Sequence, residues 1–381
     1  MPMMIALIGR SDVGRVLGCS RLRSVTDTPL RSSCAKCRAN DRQTSRCLPT
    51  TRIAKGTCVY EQQLKEPSFQ GVIAAYRRIR SEIWPVVPRL SKSLSEQAGR
   101  EVWLIPECLQ RTGSFKFRGA LNRMLLHAER GGGPVITASS GNHAIGMTVA
   151  AGITGTETTV VVPKGVSSAK LAQLEALGAH VLIMGDGFDQ AEDLMYAYAK
   201  EHGIEIVNAF DSDVIAGHGT AALGAIKQAP ELEVLISPVA SGGLIAGCAI
   251  VMKTINPKSE LIGVQTSQWP AMRESLRRGE LTRVSGGETL ADGLEGNATR
   301  STLPFQVIRR DVTDVLLVNE EAIRRAIRHG LIQERLVLEG AGAATIAAML
   351  DGQRIPGTGP VGVLLSGANC TERVMQRALG A

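Results

Sequence analysis

Residues 158 to 207 alternate between short apolar runs and segments with helical spacing. The runs 159–162, 181–184 and 204–207 predict three strands, because apolar runs bounded by turn residues are typical of buried strands. Two helices are predicted between the strands, with apolar residues at Leu171, Leu174 and Leu177, and at Phe188, Ala191, Leu194, Met195 and Tyr198. Such a βαβαβ pattern predicts a parallel sheet covered by helices, and therefore an α/β fold.

Lys116 lies in a segment without acidic residues, from 109 to 121, in the sequence RTGSFKFRGA. The glycines and small residues there allow backbone to approach a ligand closely. A dry pocket would disfavour the ammonium and lower the pKa of the amine, which would make it nucleophilic toward a carbonyl. A solvated surface lysine is the alternative, and this motif alone does not decide between them.

Two further turns are placed where helices are expected to begin. Residues 139–143, Ser-Ser-Gly-Asn-His, open a helix and can supply backbone donors. Residues 237–247 follow the apolar run 232–236, so the backbone amides of the new helix would face an anion such as a phosphate. A tight turn with glycines for packing explains the second segment equally well. Neither the GxGxxG spacing nor the Walker lysine is present, which argues against a nucleotide loop.

Two more glycine turns lie near the C-terminus. Residues 339–343 lead into the apolar helix 344–350, and residues 366–369 follow the strand 361–365. Each is typical of an ordinary cap or turn when taken alone. Together with the earlier segments, they indicate one site.

The ordered motifs resemble a known family. In chain order they are RTGSFKFRGA, ASSGNHAIG, SPVASGGLIAG, TLADGL, LEGAGAA and LLSGAN. This set, from about Pro67 onward, resembles the pyridoxal-phosphate enzymes of fold type II, and within them the threonine and serine dehydratases and the serine racemases. The resemblance implies a two-domain, tryptophan-synthase-β-like fold, each domain a mostly parallel sheet covered by helices. Residues 66–117 and 212–381 would form the large domain and 118–211 the small inserted one.

The resemblance also assigns cofactor contacts. Lys116 would form a Schiff base with pyridoxal 5'-phosphate, and Phe115 would pack against its ring. Asn142 would bind the ring hydroxyl oxygen and Ser366 would face the pyridine nitrogen, with Glu339 also at the cofactor. The phosphate would be held by Ala240, Ser241, Gly242, Gly243 and Leu244.

The implied reaction is an α,β-elimination of a β-hydroxy amino acid such as L-threonine or L-serine, giving a 2-oxo acid and ammonia. Lys116 would act as the general base at Cα. A hydroxyl at the pyridine nitrogen, from Ser366, makes the ring a weaker electron sink and favours elimination over transamination. The substrate carboxylate would be bound by Ser139, Ser140, Gly141, Asn142 and His143.

Several alternatives stay open. Ser140 is the second expected catalytic residue: racemases of this branch use it as acid and base opposite the lysine, but dehydratases also carry it. A racemase is therefore the second interpretation. A β-replacement synthase is a weaker one, since the related synthases usually have threonine where this chain has His143. The altered phosphate loop also prompts a third, a cofactor-binding protein with little catalysis.

Some positions depart from the family pattern. Ala240 and Ser241 stand where glycines are usual, as does Ala368 in the last turn. Gln265 replaces a glutamate that helps hold a divalent cation in many relatives, so we expect no metal. The segment 105–108, Ile-Pro-Glu-Cys, is also unusual and lies beside the lysine motif. His218 and Asp292 are predicted on glycine-flanked turns, where capping and catalysis are both open.

Charge and composition exclude other classes of partner. Residues 1–65 carry twelve Lys and Arg against four Asp and Glu, a net charge of +8, so with +7 for the whole chain the remainder carries −1. With aromatic residues at 3%, nucleic-acid binding by the main body is not expected. The longest apolar run, 234–252, contains a proline and three glycines, and strand, loop and helix explain it better than a membrane span. We expect a small-molecule amino-acid substrate as partner, and the resemblance adds a homodimer or larger homo-oligomer.

Cysteine use divides the chain in the same way. Three scattered thiols, Cys108, Cys248 and Cys370, are typical of a reduced cytoplasmic domain. Residues 1–65 hold the other five, and a disordered tail, an organelle transit peptide and translation from an unused upstream start all remain open for this segment, as does a zinc site. Only twelve residues follow Asn369, so we expect no regulatory C-terminal domain and no feedback inhibition by isoleucine.

Overall fold

The computed structural model describes residues 65–380. The expectations for residues 1–64, including the five cysteines there, lie outside the described residues. The helices are α1 Phe69–Ile79, α2 Lys92–Ala98, α3 Lys116–Glu129, α4 Asn142–Thr154, α5 Ser168–Ala176, α6 Phe188–His202, α7 Ser212–Gln228, α8 Gly243–Ile255, α9 Ala271–Arg278, α10 Thr302–Asp311, α11 Glu320–Ile332, α12 Gly340–Leu350 and α13 Glu372–Leu379. The strands are β1 Arg89–Leu90, β2 Val102–Ile105, β3 Val135–Ala138, β4 Thr158–Val162, β5 His180–Ile183, β6 Glu205–Ile206, β7 Val234–Pro238, β8 Glu260–Thr266, β9 Asp314–Val318 and β10 Val361–Leu364.

The strands form two sheets. A six-stranded sheet has the order β1-β2-β10-β7-β8-β9, in which β1 is antiparallel to β2 and the other neighbours are parallel. A four-stranded sheet has the order β5-β4-β3-β6 and is parallel throughout. The predicted α/β fold with mostly parallel sheets is confirmed. All strands of the smaller sheet lie between residues 135 and 206, but the domain bounds 118 and 211 stay a prediction.

Local sequence explains where the helices begin and end. Ser68, Ser91 and Asn319 precede helices, and each accepts a hydrogen bond from the amide three residues further along, at 2.9 to 3.2 Å. Glycines in the left-handed conformation end other helices, among them Gly155 and Gly203. Side chains and glycines thus satisfy backbone groups that a helix leaves free at its ends.

One predicted helical face is partly wrong. In α6 the buried residues are Ala191, Met195 and Ala199, which repeat every four positions. Phe188 and Leu194, which the sequence placed on the same face, are 44% and 40% exposed. The stripe that packs is therefore narrower than the apolar pattern, because the neighbouring strands cover one side of the helix alone.

His218 is also placed differently from the prediction. It lies in the middle of α7, a continuous helix, instead of on a turn. The flanking glycines serve packing: a Cβ on Gly217 would come 2.5 Å from the Arg118 carbonyl oxygen, and one on Gly219 would come 2.7 Å from that of Gly247. Glycine therefore lets α7 pack closely against α3 on one side and α8 on the other.

A buried ion pair fixes the segment that joins β2 to α3. Arg118 donates two hydrogen bonds, of 2.7 and 2.8 Å, to the two carboxylate oxygens of Glu107. Both side chains are almost fully buried. Glu107 belongs to a short 3-10 helix after β2, whereas Arg118 lies in the first turn of α3, so the pair holds the intervening residues in one conformation.

Other ion pairs join the smaller sheet's helices to the segment between α9 and α10. Lys170 of α5 contacts Asp292 at 3.1 Å, and Arg283 contacts Asp189 of α6 at 2.7 Å. Arg300 pairs with two acidic residues of α6, Glu192 and Asp193, and its guanidinium lies 5.1 Å from the Tyr196 ring centroid. Most of these side chains are partly exposed.

Breaking the buried pair should destabilise the protein strongly. Arg118→Met leaves the Glu107 carboxylate buried without its cation, so we expect the free energy of unfolding to fall by about 3–5 kcal/mol, measured by urea denaturation. Glu107→Leu combined with Arg118→Met should recover part of the loss, because no charge then stays buried. Lys164→Met, which removes the exposed Lys164–Asp186 pair, serves as the control and should change stability little. An unchanged stability in Arg118→Met would contradict the assignment.

Candidate active site

Three of the predicted turns follow neighbouring parallel strands. The lysine segment comes after β2, residues 366–369 follow β10, and residues 239–243 follow β7. Since β2, β10 and β7 are adjacent in the sheet, their carboxyl ends bring these turns together. Ligands of open α/β sheets bind at this edge. The 139–143 turn follows β3, an inner strand of the other sheet.

The lysine turn is joined to residues 366–369 by backbone pairing. Ser114 and Gly367 form an antiparallel bridge. The Phe115 amide donates to the Ser366 carbonyl oxygen at 3.0 Å, and the Ala368 amide donates to the Gly113 carbonyl oxygen at 2.8 Å. These bonds fix the backbone just before Lys116, which is the first residue of α3.

Side-chain amides extend this connection to the other turns. Asn369 donates from Nδ2 to Asn142 Oδ1 at 2.7 Å and to the Thr112 carbonyl oxygen at 2.8 Å. Asn142 Nδ2 in turn donates to Glu339 Oε1 at 2.7 Å. The orientation of the Asn142 amide is therefore set from both ends, and its second N–H stays available for a ligand. Gly113 makes room for Asn369, because a Cβ there would lie 2.5 Å from its Oδ1.

Lys116 has the electrostatic environment that the sequence predicted. Burial lowers the pKa of its amine to about 8, and the carboxyl of Glu339 acts in the opposite direction. Its Nζ lies 5.2 Å from the centroid of the Phe115 ring. On the other side Gly146 of α4 faces the Lys116 backbone, where a Cβ would approach the carbonyl carbon to 3.3 Å. A neutral amine is thus accessible at mildly alkaline pH.

Glu339 and His143 are both uncharged near neutral pH. Burial raises the pKa of Glu339 to about 8, Asp292 adds to this, and Asn142, Lys170 and Lys116 oppose it. Burial and the Lys116 ammonium lower the pKa of His143 to about 3, and the Val207 backbone opposes this. At pH 7, Lys116 is consequently the main charged group of the pocket core.

The phosphate loop keeps glycine where the backbone requires it. Gly242 has φ +89°, and a Cβ on Gly243 would come 2.8 Å from the Ala209 carbonyl oxygen. Ala240 and Ser241 do not have positive φ; among the described non-glycine residues, Arg335 alone does. Their side chains therefore introduce no left-handed strain. The departure from four glycines leaves the anion-binding geometry at the N-terminus of α8 intact.

The other predicted residues divide between cleft and core. Ser139, Ser140, Gly141 and Asn142 are partly exposed, as cleft-lining residues must be, and Ser139 Oγ accepts the Gly141 amide at 3.2 Å. His143, Leu244, Glu339 and Ser366 are buried. Asn369 was missed as a site residue, although the SGAN motif contained it. Its position after β10, beside the lysine turn, is the signal that could have identified it.

Gln265 has a structural role in this chain. Its Oε1 accepts the Arg273 amide at 2.9 Å, at the start of α9, and the side chain is buried. In the described residues no group of three or more His, Cys, Asp and Glu side chains is arranged to hold a metal ion. Within the same part of the chain, no helix combines the length and hydropathy needed to cross a membrane.

Comparison with known proteins supplies the family. The model of a family described as pyridoxal-phosphate dependent enzymes matches residues 82–367. The chain belongs to this family. The L-threonine ammonia-lyase of Thermotoga maritima is 38% identical over 315 residues, covering 82% of this chain and 78% of that protein.

Two solved structures are also similar. A threonine deaminase from the organism abbreviated T.th. has a TM-score of 0.73 at 34% identity, covering 80% of this chain and 99% of that one. The serine racemase from Dictyostelium discoideum has a TM-score of 0.74 at 30% identity, with the same two coverages. The predicted family and cofactor are confirmed.

The residues present fit pyridoxal phosphate. Its carbonyl needs an amine with a lowered pKa, which Lys116 provides. Its phosphate needs a cradle without side chains at the start of a helix, which Gly242 and Gly243 provide. Its ring needs a flat apolar neighbour and polar partners at the edge, which Phe115, Asn142 and Ser366 can supply.

We expect the two halves of the phosphate loop to respond differently to substitution. Gly242→Ala should lower the free energy of unfolding by about 1–3 kcal/mol, because of its positive φ and because the new Cβ would lie 2.6 Å from Ile308 Cδ1. Ser241→Gly, the matched control, should change it by less than about 1 kcal/mol. Urea denaturation measures both, and equal losses would contradict the conformational argument.

The lowered pKa of Lys116 predicts how the apoprotein takes up its cofactor. The neutral amine is the reactive form, so the covalent binding rate should rise about tenfold from pH 7 to pH 9 and level off above the pKa of about 8. Stopped-flow absorbance of the cofactor measures the rate. A lysine with the ordinary pKa of 10.5 would show no levelling in this range.

Proposed function

We propose that this enzyme catalyses α,β-elimination of a β-hydroxy amino acid such as L-threonine or L-serine, to a 2-oxo acid and ammonia. The observation that carries the proposal is the buried Lys116 amine with its lowered pKa, in a pocket whose other core groups, Glu339 and His143, are uncharged near pH 7. Similarity to an L-threonine ammonia-lyase supports the substrate class.

The cofactor is held by residues with separate tasks. Residues 240–244 bind the phosphate through the amides at the N-terminus of α8. Asn142 donates to the ring hydroxyl oxygen with the N–H that Glu339 does not use. Phe115 packs against the ring, and Ser366 faces the ring nitrogen.

The 139–143 turn binds the substrate. Its backbone amides at the N-terminus of α4 face the carboxylate, and the helix dipole favours a negative charge there. Ser139 stabilises the turn by accepting the Gly141 amide. His143, buried and neutral, adds no charge that would compete with the carboxylate.

Proton transfer is the task of Lys116. Bound pyridoxal phosphate supplies a carbonyl that binds the substrate amine and an electron sink that acidifies Cα. The freed Lys116 amine takes the Cα proton as general base, and the β-hydroxyl leaves with a proton as water. The resulting enamine product hydrolyses to the 2-oxo acid and ammonia. Ser366, a hydroxyl in place of a carboxylate, does not hold a proton on the ring nitrogen, which favours rapid loss of the β-substituent.

A racemase is the second candidate. Ser140 is partly exposed in the 139–143 turn, where it could act as acid or base on the substrate face opposite Lys116. The similarity to a serine racemase structure supports this alternative. Chiral analysis of recovered serine separates the two: rapid formation of the other enantiomer without 2-oxo acid would replace elimination by racemisation.

Assembly and location also belong to the proposal. We infer a homodimer or a larger homo-oligomer in the cytoplasm, on the family resemblance and on the three scattered thiols of the main body, two of which are buried.

Substrate turnover tests the function directly. The holoenzyme is given threonine, serine, 3-hydroxyaspartate and phenylserine, and release of 2-oxo acid and ammonia is measured. Lys116→Ala should abolish covalent cofactor absorbance and reduce turnover by about 10³-fold or more, since it removes both the amine and the base. Lys164→Ala, an exposed-lysine control, should retain the absorbance. Full turnover in Lys116→Ala, or no ammonia from any of the four substrates with the unsubstituted enzyme, would contradict the proposal.

A further inference from the structure

His218 occupies a place that the proposed mechanism does not use. It is fully buried in the middle of α7, between the lysine turn and the N-terminus of α8. Its ring lies edge-on to the Phe115 ring, with centroids 4.8 Å apart. Phe115 directly precedes Lys116, so His218 contacts the backbone segment that presents the amine.

Glycines on two helices form the slot for this ring. A Cβ on Gly119 of α3 would come 2.3 Å from His218 Cε1 and 2.5 Å from Nδ1. A Cβ on Gly243, the first residue of α8, would lie 3.6 Å from Cδ2. Any larger residue at 119 would displace the ring. The imidazole is thus wedged against the first turn of α8, where the phosphate loop begins.

Both ring nitrogens of His218 lack a hydrogen-bond partner within residues 65–380. Buried polar groups in folded proteins are nearly always paired, so an unpaired buried imidazole indicates a partner that is not a protein group. The N-terminus of α8 is an anion site of its own, since the first amides of a helix have no intrahelical acceptor. Two independent features therefore meet at one place.

The charges around His218 select the kind of partner. Lys116 and Arg118 of α3 and His143 of α4 are the titratable groups that act on it, and each disfavours a charged imidazolium. Burial is the larger cause, and together they hold the pKa of His218 well below its ordinary value. The Arg118 charge is paired with Glu107, as described above. The ring is thus a neutral donor in surroundings that favour an anion.

We propose that His218 donates a hydrogen bond from a ring N–H to an oxygen of the phosphate bound at the N-terminus of α8. The inference rests on the proposed function, which places the cofactor phosphate there. It adds a side-chain donor to a loop that otherwise binds through backbone amides. The same contact couples the loop to Phe115, so that phosphate binding orders the lysine turn.

The test uses the full-length apoprotein with inorganic phosphate as the probe. His218→Phe keeps the aromatic contact with Phe115 but removes the donor, and should weaken phosphate binding about tenfold or more, read from the phosphate-induced rise in the unfolding temperature. His218→Gln restores an N–H and should bind within about threefold of the unsubstituted protein. A folded His218→Phe protein that binds phosphate as tightly as the unsubstituted protein would overturn the proposal.

A second measurement does not depend on any variant folding well. In unsubstituted protein labelled with ¹⁵N-histidine, one ring-nitrogen signal should shift when phosphate is added, and His218→Gln should identify it among the six histidines. No shift of that signal would also reject the proposal. Phosphate binding is measured without substrate, so a failure here is distinguishable from a failure to release ammonia, which would reject the proposed reaction instead.

Discussion

The site depends on one short stretch of backbone pairing, the bridge between Ser114 and Gly367 with its flanking hydrogen bonds. The two residues lie near opposite ends of the described chain, yet their pairing decides where the first turn of α3 begins. Asn369 extends the connection to Asn142 and, through it, to Glu339. A ligand that contacts any one of these turns is therefore in contact with a single connected structure.

Glycine has two distinct functions around this structure. Gly242 supplies a left-handed conformation, which a side chain would strain. Gly119, Gly217 and Gly247 have no such conformation; they permit helices to approach until backbone meets backbone or a buried ring. The second function looks like a turn in the sequence, which is why His218 was expected on a turn although it lies inside α7.

The sequence predicted the strands of residues 158–207 to within one or two residues, because β-branched runs and helical spacing are local signals. It also identified the turns that meet at the sheet edge, through their order and composition. It could not show that Asn369 bonds to Asn142, since no local pattern encodes a contact across 227 positions. It also misjudged Phe188 and Leu194, because burial of a helix face depends on the neighbours that cover it.

The ion pairs between the smaller sheet's helices and residues 283–300 determine how the cleft can move. Lys170, Arg283 and Arg300 contribute charge and hydrogen bonding across this boundary, and several of their partners are exposed to solvent. Exposed pairs cost little to separate, because water and salt ions replace the lost partner. The two sheets can accordingly part along this boundary without wetting an apolar interior, and the ionic strength of the solution then sets how readily substrate enters and product departs.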